Sequence, residues 1–196
     1  MLKLTHPVIF DNNQLLTIRQ IISEHNSGKK RWSSGKAKSI KNHISVHCLS
    51  EQRCYCAFCE GLVNEGDAPI EHISPKGLTP EFVFEPNNLV VSCTRCNSTT
   101  IKGERPTIIG DVVPIYQDND FCIVHPRLDN SDEHIIFQDE QRTIFELPRC
   151  SEKGLATIKF FRWDNINAFR ARVAAASTRG LDLDQLKLIY EISTYK

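Results

Sequence analysis

Residues 56–102 read CAFCEGLVNEGDAPIEHISPKGLTPEFVFEPNNLVVSCTRCNSTTIK, and this stretch decides the fold. Cys56-x-x-Cys59 and Cys93-x-x-Cys96 are two paired-thiol turns with 33 residues between them. Four thiolates spaced in this way match a closed tetrahedral zinc site, with no position left open for substrate. Such a site staples a region too small to build a sufficient core of its own. Between the pairs, Ile70-Glu71-His72-Ile73 reads as a short strand that sets a carboxylate beside an imidazole. Adjacent strand residues point to opposite faces, so one could face a metal and the other a substrate. A loop rich in Pro and Gly follows through residues 75–88. A second short strand is expected over Leu89–Ser92, and a helix from near Thr94. Fifteen residues separate His72 from Asn88 and eight separate Asn88 from Asn97; Lys102-Gly103 closes the stretch.

Working outward, the N-terminal flank reads as helical. Leu15, Ile18, Ile21 and Ile22 recur at helical spacing, with Asp11 or Asn12 as N-cap and Asn26-Ser27-Gly28 as a stop signal. Residues 29–41, KKRWSSGKAKSIK, carry six basic residues and no acidic one. That run is either a phosphate-binding arm with Trp32 as a stacking surface, or a solvated linker and helix face. A second helix is expected from about Ala37 to Leu49. On the other flank, Gly110–Leu147 alternates turn residues with brief apolar runs, which is strand-and-loop material. The last 40 residues read as helical. Ile166, Phe169, Val173 and Ala176 share one face, Gly180 is a stop, and Leu181–Tyr190 forms a final amphipathic helix. The expected organisation is therefore α+β, with a helical extension over 1–50, a core over 51–109, and a strand-and-loop segment with C-terminal helices over 110–196.

The bulk numbers narrow the class. The chain has 196 residues, 40% hydrophobic and 24% charged, which excludes wholesale disorder. Lys plus Arg and Asp plus Glu balance at 24 each, so no overall basic excess argues for a protein that grips nucleic acid unaided. MLKLTHPVIF is too short and polar for a signal peptide's apolar core, and no run approaches the ~20 apolar residues of a membrane span. The expectation is a soluble, cytoplasmic protein. Its eight cysteines are then poorly explained by disulfides. Cys48, Cys54, Cys122 and Cys150, outside the metal pattern, read as small buried hydrophobes. His125 and His134 read as packing residues, with a substrate or supporting role for His125 as the alternative.

The order Cys-x-x-Cys, Glu71-His72-Ile73-x-Pro75, Asn88-Leu89, Cys-x-x-Cys-Asn97 resembles the HNH nuclease family in its zinc-knotted branch. The resemblance covers about 50 residues and implies a ββα unit cradling one divalent cation. It also implies roles. His72 matches the general base, Glu71 and Asn97 the two ligands of the catalytic metal, and Asn88 the residue whose side-chain carbonyl orients the imidazole. Asn87 competes for that last role, but the family's Asn directly precedes Leu. A base titrating near neutrality suits histidine, and a divalent cation offsets the charge that gathers in phosphodiester hydrolysis. Oxygen ligands suit Mg²⁺ or Mn²⁺, whereas the thiolates suit Zn²⁺. Lys102 is a candidate for holding a substrate phosphate, although its spacing from Asn97 is longer than the family's.

The flanks narrow the resemblance. RCYCAFCE, IEHISPKG, NNLVVSCTRCN, KGE and HPRLDNSDEHI are similar to the nuclease subunit, PtuB, of Septu-type anti-phage defence systems, some of which accompany retrons. That similarity implies an ABC-type ATPase partner (PtuA) and a nucleic-acid substrate, DNA ahead of RNA or tRNA. Two rival readings stand beside it. One is a non-catalytic zinc-knotted binding module, which has no reason to keep Glu71, His72, Asn88 and Asn97 together. The other is a free-standing nicking endonuclease, which calls for a sequence-reading element that the chain does not display.

Overall fold

The computed structural model describes residues 1–177, except 65 and 67, together with residue 185. Helix α1 (Asn12–Glu24) begins at Asp11, whose carboxylate accepts from the Gln14 amide while the Gln14 side chain accepts in return from the Asp11 N–H. This reciprocal cap satisfies two otherwise orphaned donors. The helix buries Ile18 and Ile21 but leaves Leu15 and Ile22 more than a third exposed, so its core-facing stripe is narrower than the periodicity suggests. The expected stop at Asn26–Gly28 is instead a restart. Ser27 caps a short helix, α2 (Gly28–Ser33), so the first part of the basic run is helical rather than a linker. Helix α3 (Lys38–Glu51) follows and buries Ile40, Ile44 and Cys48.

Strands β1 (Ile70–His72) and β2 (Leu89–Val91) pair antiparallel, with Ile70 opposite Val91, Glu71 opposite Val90 and His72 opposite Leu89. All three β2 residues are fully buried, as expected of a strand covered on both faces. Helix α3 packs across it. The open edge of β2 is closed by side chain and loop rather than by a third strand. Gln52 donates to the Val91 carbonyl and accepts from the Val91 N–H, and the Ala57 N–H also donates to that carbonyl. An edge whose backbone groups are already spoken for cannot recruit another strand. A single turn of helix, α4 (Thr94–Asn97), follows β2.

Beyond residue 104 the expected short strands reduce, among the described residues, to isolated bridges at Ile108–Phe121 and Phe137–Phe145. The intervening backbone is turns, with one short helix, α5 (Ser131–His134). Helix α6 (Glu152–Phe160) crosses α5 so closely that a Cβ on Gly154 would lie 1.9 Å from the His134 carbonyl oxygen. Helix α7 (Ile166–Ala176) departs from its expected face. Ala168 is the buried position, while Ile166 and Val173 are exposed at 63% and 45%. The expected stop at Gly180 and helix over Leu181–Tyr190 lie outside the described residues, apart from residue 185. The architecture is α+β, helix-rich around one small sheet. No described helix is long and apolar enough to cross a membrane.

Candidate functional site

The four cysteines converge. The Sγ atoms of Cys56, Cys59, Cys93 and Cys96 all lie within 4.8 Å of one another, and Cys59 and Cys93 are 3.7 Å apart. A tetrahedral zinc with bonds of about 2.3 Å spaces its sulfurs by about 3.8 Å, so the cluster has the dimensions of a four-cysteine zinc site. Each pair is pre-shaped by backbone. Cys56 opens a turn closed by the Glu60 N–H on the Cys56 carbonyl, with Glu60 in the left-handed region at φ 59°. Cys93 caps α4 and accepts from the Cys96 N–H. The four thiols do not ionise alike. Burial drives Cys56 well up, and hydrogen bonds within the cluster, those with Cys56 foremost, raise Cys96 and lower Cys59 and Cys93. Four sulfurs at this spacing call for a cation if all are to be anionic, and the donor set fits zinc. Of the other cysteines, Cys48 and Cys150 are buried as expected, whereas Cys54 and Cys122 are only partly covered.

The neighbouring strand holds Glu71 and His72 in an arrangement more enclosed than the alternation rule suggests. Both Glu71 and His72 are buried, at 7% and 2% exposure. The imidazole Nε2 lies 3.1 Å from the Val83 carbonyl. A carbonyl can only accept, so Nε2 carries the proton and Nδ1 presents a bare lone pair. That Nδ1 is buried with no hydrogen-bond partner among the described residues. Burial, aided by the positive charge of Lys76, lowers the His72 pKa to about 3. Trp32 of α2 meets the ring edge-on, with centroids 4.5 Å apart and planes at 84°.

Lys102 corrects an expectation. Its side chain is wholly buried, and Nζ is 2.5 Å from Glu71 Oε1 and 2.7 Å from the His72 carbonyl. Enclosed and committed in this way, it does not reach out to a substrate phosphate. Burial pushes the Glu71 carboxyl up and the Lys102 ammonium down, and each charge holds the other against that pressure. Among the described residues Glu71 Oε2 takes no hydrogen bond, and it is not sealed off, which leaves it as the oxygen this carboxylate can offer. Asn97 ends α4 one residue after Cys96 with its side chain half-buried.

Asn88 sits where expected in the chain but does something else. Its Oδ1 accepts from the Ser74 N–H at 2.6 Å and the Tyr116 hydroxyl at 2.8 Å, and its amide donates to the Ser74 and Phe82 carbonyls. The side chain therefore ties the loop after His72 to the residue preceding Val83. It sets the imidazole's surroundings through backbone rather than touching the ring. Asn87 turns away to Glu85. Behind Asn88 runs a chain of hydrogen bonds that no sequence pattern announces. His125 Nδ1 accepts from the Arg127 and Leu128 N–H groups, so Nε2–H donates to the Tyr116 oxygen, whose own proton goes to Asn88. His125 thus braces Asn88 through Tyr116; no local spacing connects it to Asn88, 37 positions away in the chain.

The chain is similar to the Septu protein PtuB of Bacillus mycoides (strain KBAB4), with 27% identity over 181 aligned residues that cover 82% of this chain and 58% of the relative. It thus spans under two thirds of the length of the curated relative it matches. No family model matches the chain, and no solved structure matches it.

Proposed function

We propose that this protein is a metal-dependent HNH endonuclease that hydrolyses phosphodiester bonds of nucleic acid, and that it is the nuclease component of a Septu-type anti-phage system acting with an ABC-type ATPase. The observation that carries the proposal is His72. Its Nε2 proton is fixed on the Val83 carbonyl and its Nδ1 lone pair is left unpartnered, on a strand that lies beside a four-thiol cluster. An imidazole held in one tautomer with a free lone pair is the equipment of a general base. The similarity to PtuB supports the defence setting.

In this reading the thiol cluster holds a structural zinc and takes no part in the reaction. Glu71 and Asn97 would hold a separate Mg²⁺ or Mn²⁺. Such an ion would supply positive charge against the negative charge gathering on the phosphate oxygens. The chain's own part is to place and relieve a proton. His72 Nδ1 takes it from the attacking water as the water oxygen bonds to phosphorus and the P–O bond to the leaving oxygen breaks. Lys102 keeps Glu71 ionised in a buried setting, and Asn88 fixes the loop that runs from the base to its Val83 anchor.

The test is cleavage of plasmid DNA and of total RNA in Mg²⁺ or Mn²⁺, by the chain co-expressed with an ATPase partner, comparing wild type with His72→Ala. Metal-dependent cleavage by the wild type alone, at equal zinc content, supports the nuclease and its base. Equal cleavage by both removes His72 from the mechanism. Absence of cleavage by either, with stable partner binding, favours a non-catalytic zinc-knotted module.

A further inference from the structure

His72 is enclosed, yet a general base must meet water. The imidazole is 2% exposed and its Nδ1 is cut off from solvent without a partner. A histidine serving packing alone normally has both nitrogens satisfied. His125 in the same chain shows that arrangement, with two N–H groups on Nδ1 and the Tyr116 hydroxyl on Nε2. The unmet lone pair of His72 is therefore not a general consequence of burying a ring in this protein.

The cover over His72 comes from α2. Trp32 stands edge-on against the imidazole and also packs against Phe84. The helix is pinned at several points, one of them in the loop after His72. Arg31 donates from Nη1 to the Pro80 carbonyl and from Nε to the His25 carbonyl, and Lys29 pairs with Glu104 at 2.8 Å. At its first residue, a Cβ on Gly28 would fall 1.9 Å from the Lys76 carbonyl oxygen, so helix and loop touch backbone to backbone. Nevertheless α2 is only six residues long, too short to persist as a helix without its contacts. Longer helices hold both of its ends, with the Asn26–Ser27 turn on one side and Ser34–Gly35 on the other. A Cβ on Gly35 would meet no described atom within 4 Å.

We infer that α2 is a gate over the catalytic base: Trp32 packs against the His72 ring, and substrate and water gain access when α2 withdraws. This rests on His72 being the base of the proposed nuclease, although the gate itself can be measured without any cleavage. The first part of the basic run 29–41 supplies the moving element.

Carbethoxylation by diethyl pyrocarbonate, followed histidine by histidine with peptide mass spectrometry on the full chain, reads access to each imidazole. Exposed His6 sets the fast limit, and buried His125 the slow one. In wild type, His72 should react at the rate of His125. Trp32→Ala should accelerate His72 by about tenfold while His125 stays slow, because local opening then limits only His125. Glu104→Gln loosens the exposed pin without touching the ring contact, and should accelerate His72 by a smaller factor with an unchanged circular dichroism spectrum. Wild-type His72 reacting as fast as His6 overturns the gate, as does equal protection in wild type and both variants. Unmasking of His72 in variants that cleave no nucleic acid leaves the gate standing and removes the nuclease reading instead.

Discussion

Lys102 Nζ lies 2.5 Å from Glu71 Oε1 and 2.7 Å from the His72 carbonyl, so one buried ammonium ties together the two neighbours at the end of β1. Its own backbone N–H bonds to the Cys96 carbonyl. The thiol cluster and strand β1 are thereby linked through a single residue. Removing one partner of a buried ion pair strands the other charge, at a cost of about 3–5 kcal/mol. Lys102→Met should therefore lower stability to urea by that order. Lys102→Met combined with Glu71→Gln should recover much of it, since no bare carboxylate remains. A Lys102→Met protein as stable as wild type would show that the ammonium does not hold the carboxylate.

Zinc is expected to be part of the folded state rather than an addition to it. The four sulfurs come from two turns far apart in sequence, and Phe58 and Ala57, between the first pair, are fully buried. Binding at such sites is worth about 10–16 kcal/mol in small domains. Cys93→Ser should abolish bound zinc and cooperative unfolding together, read by metal analysis and thermal melting. Cys122→Ser should keep its zinc, because that thiol lies outside the cluster and only approaches the Pro106 carbonyl.

Tyr116 supports Asn88 from behind, and its hydroxyl is both donor and acceptor in one buried line. In Tyr116→Phe, Asn88 Oδ1 keeps the Ser74 N–H, but His125 Nε2–H faces an apolar ring. One unsatisfied buried donor costs about 1–3 kcal/mol. Chemical unfolding should show a loss of that size, and a loss below the error of the method would mean that solvent replaces the hydroxyl.

How far the sequence reaches can be judged residue by residue. The thiol pairs, the Asp11–Gln14 cap and the strands near Ile70 and Leu89 depend on local spacing, and spacing survives folding. The partners of the central residues do not. Trp32 meets His72 across 40 positions, and Lys102 meets Glu71 across 31. A buried lysine also runs against composition, since lysine is almost never fully enclosed unless paired. The buried face of α7 escapes the sequence for a related reason. Periodicity says that an apolar stripe exists, but the packing of Ala168 decides which side meets the core.

The neutral state of His125 is built into the fold, and this gives stability a pH dependence of known sign. Two backbone N–H groups point at Nδ1, so a proton there would displace both. Burial lowers its pKa to about 3, aided by the charges of Lys153 and Arg127 and opposed by Asp129, whose carboxylate accepts from the His125 N–H. In the unfolded chain the ring titrates near its ordinary value of 6.5. Between these two values the unfolded state binds the proton and the folded state does not. The stabilisation is thus complete above pH 6.5 and is lost as pH falls toward 3, at up to about 1.4 kcal/mol per pH unit. Urea midpoints measured from pH 7.5 down to about 4.5 should fall less steeply in His125→Gln than in wild type, by close to one proton's worth of slope. That window stays above the ordinary range of Asp129, whose own pKa is lowered by Lys153 and the His125 N–H despite its burial. Parallel slopes in the two proteins would mean that His125 is protonated in the fold, and the line from its Nε2 through Tyr116 to Asn88 would then need a different donor order.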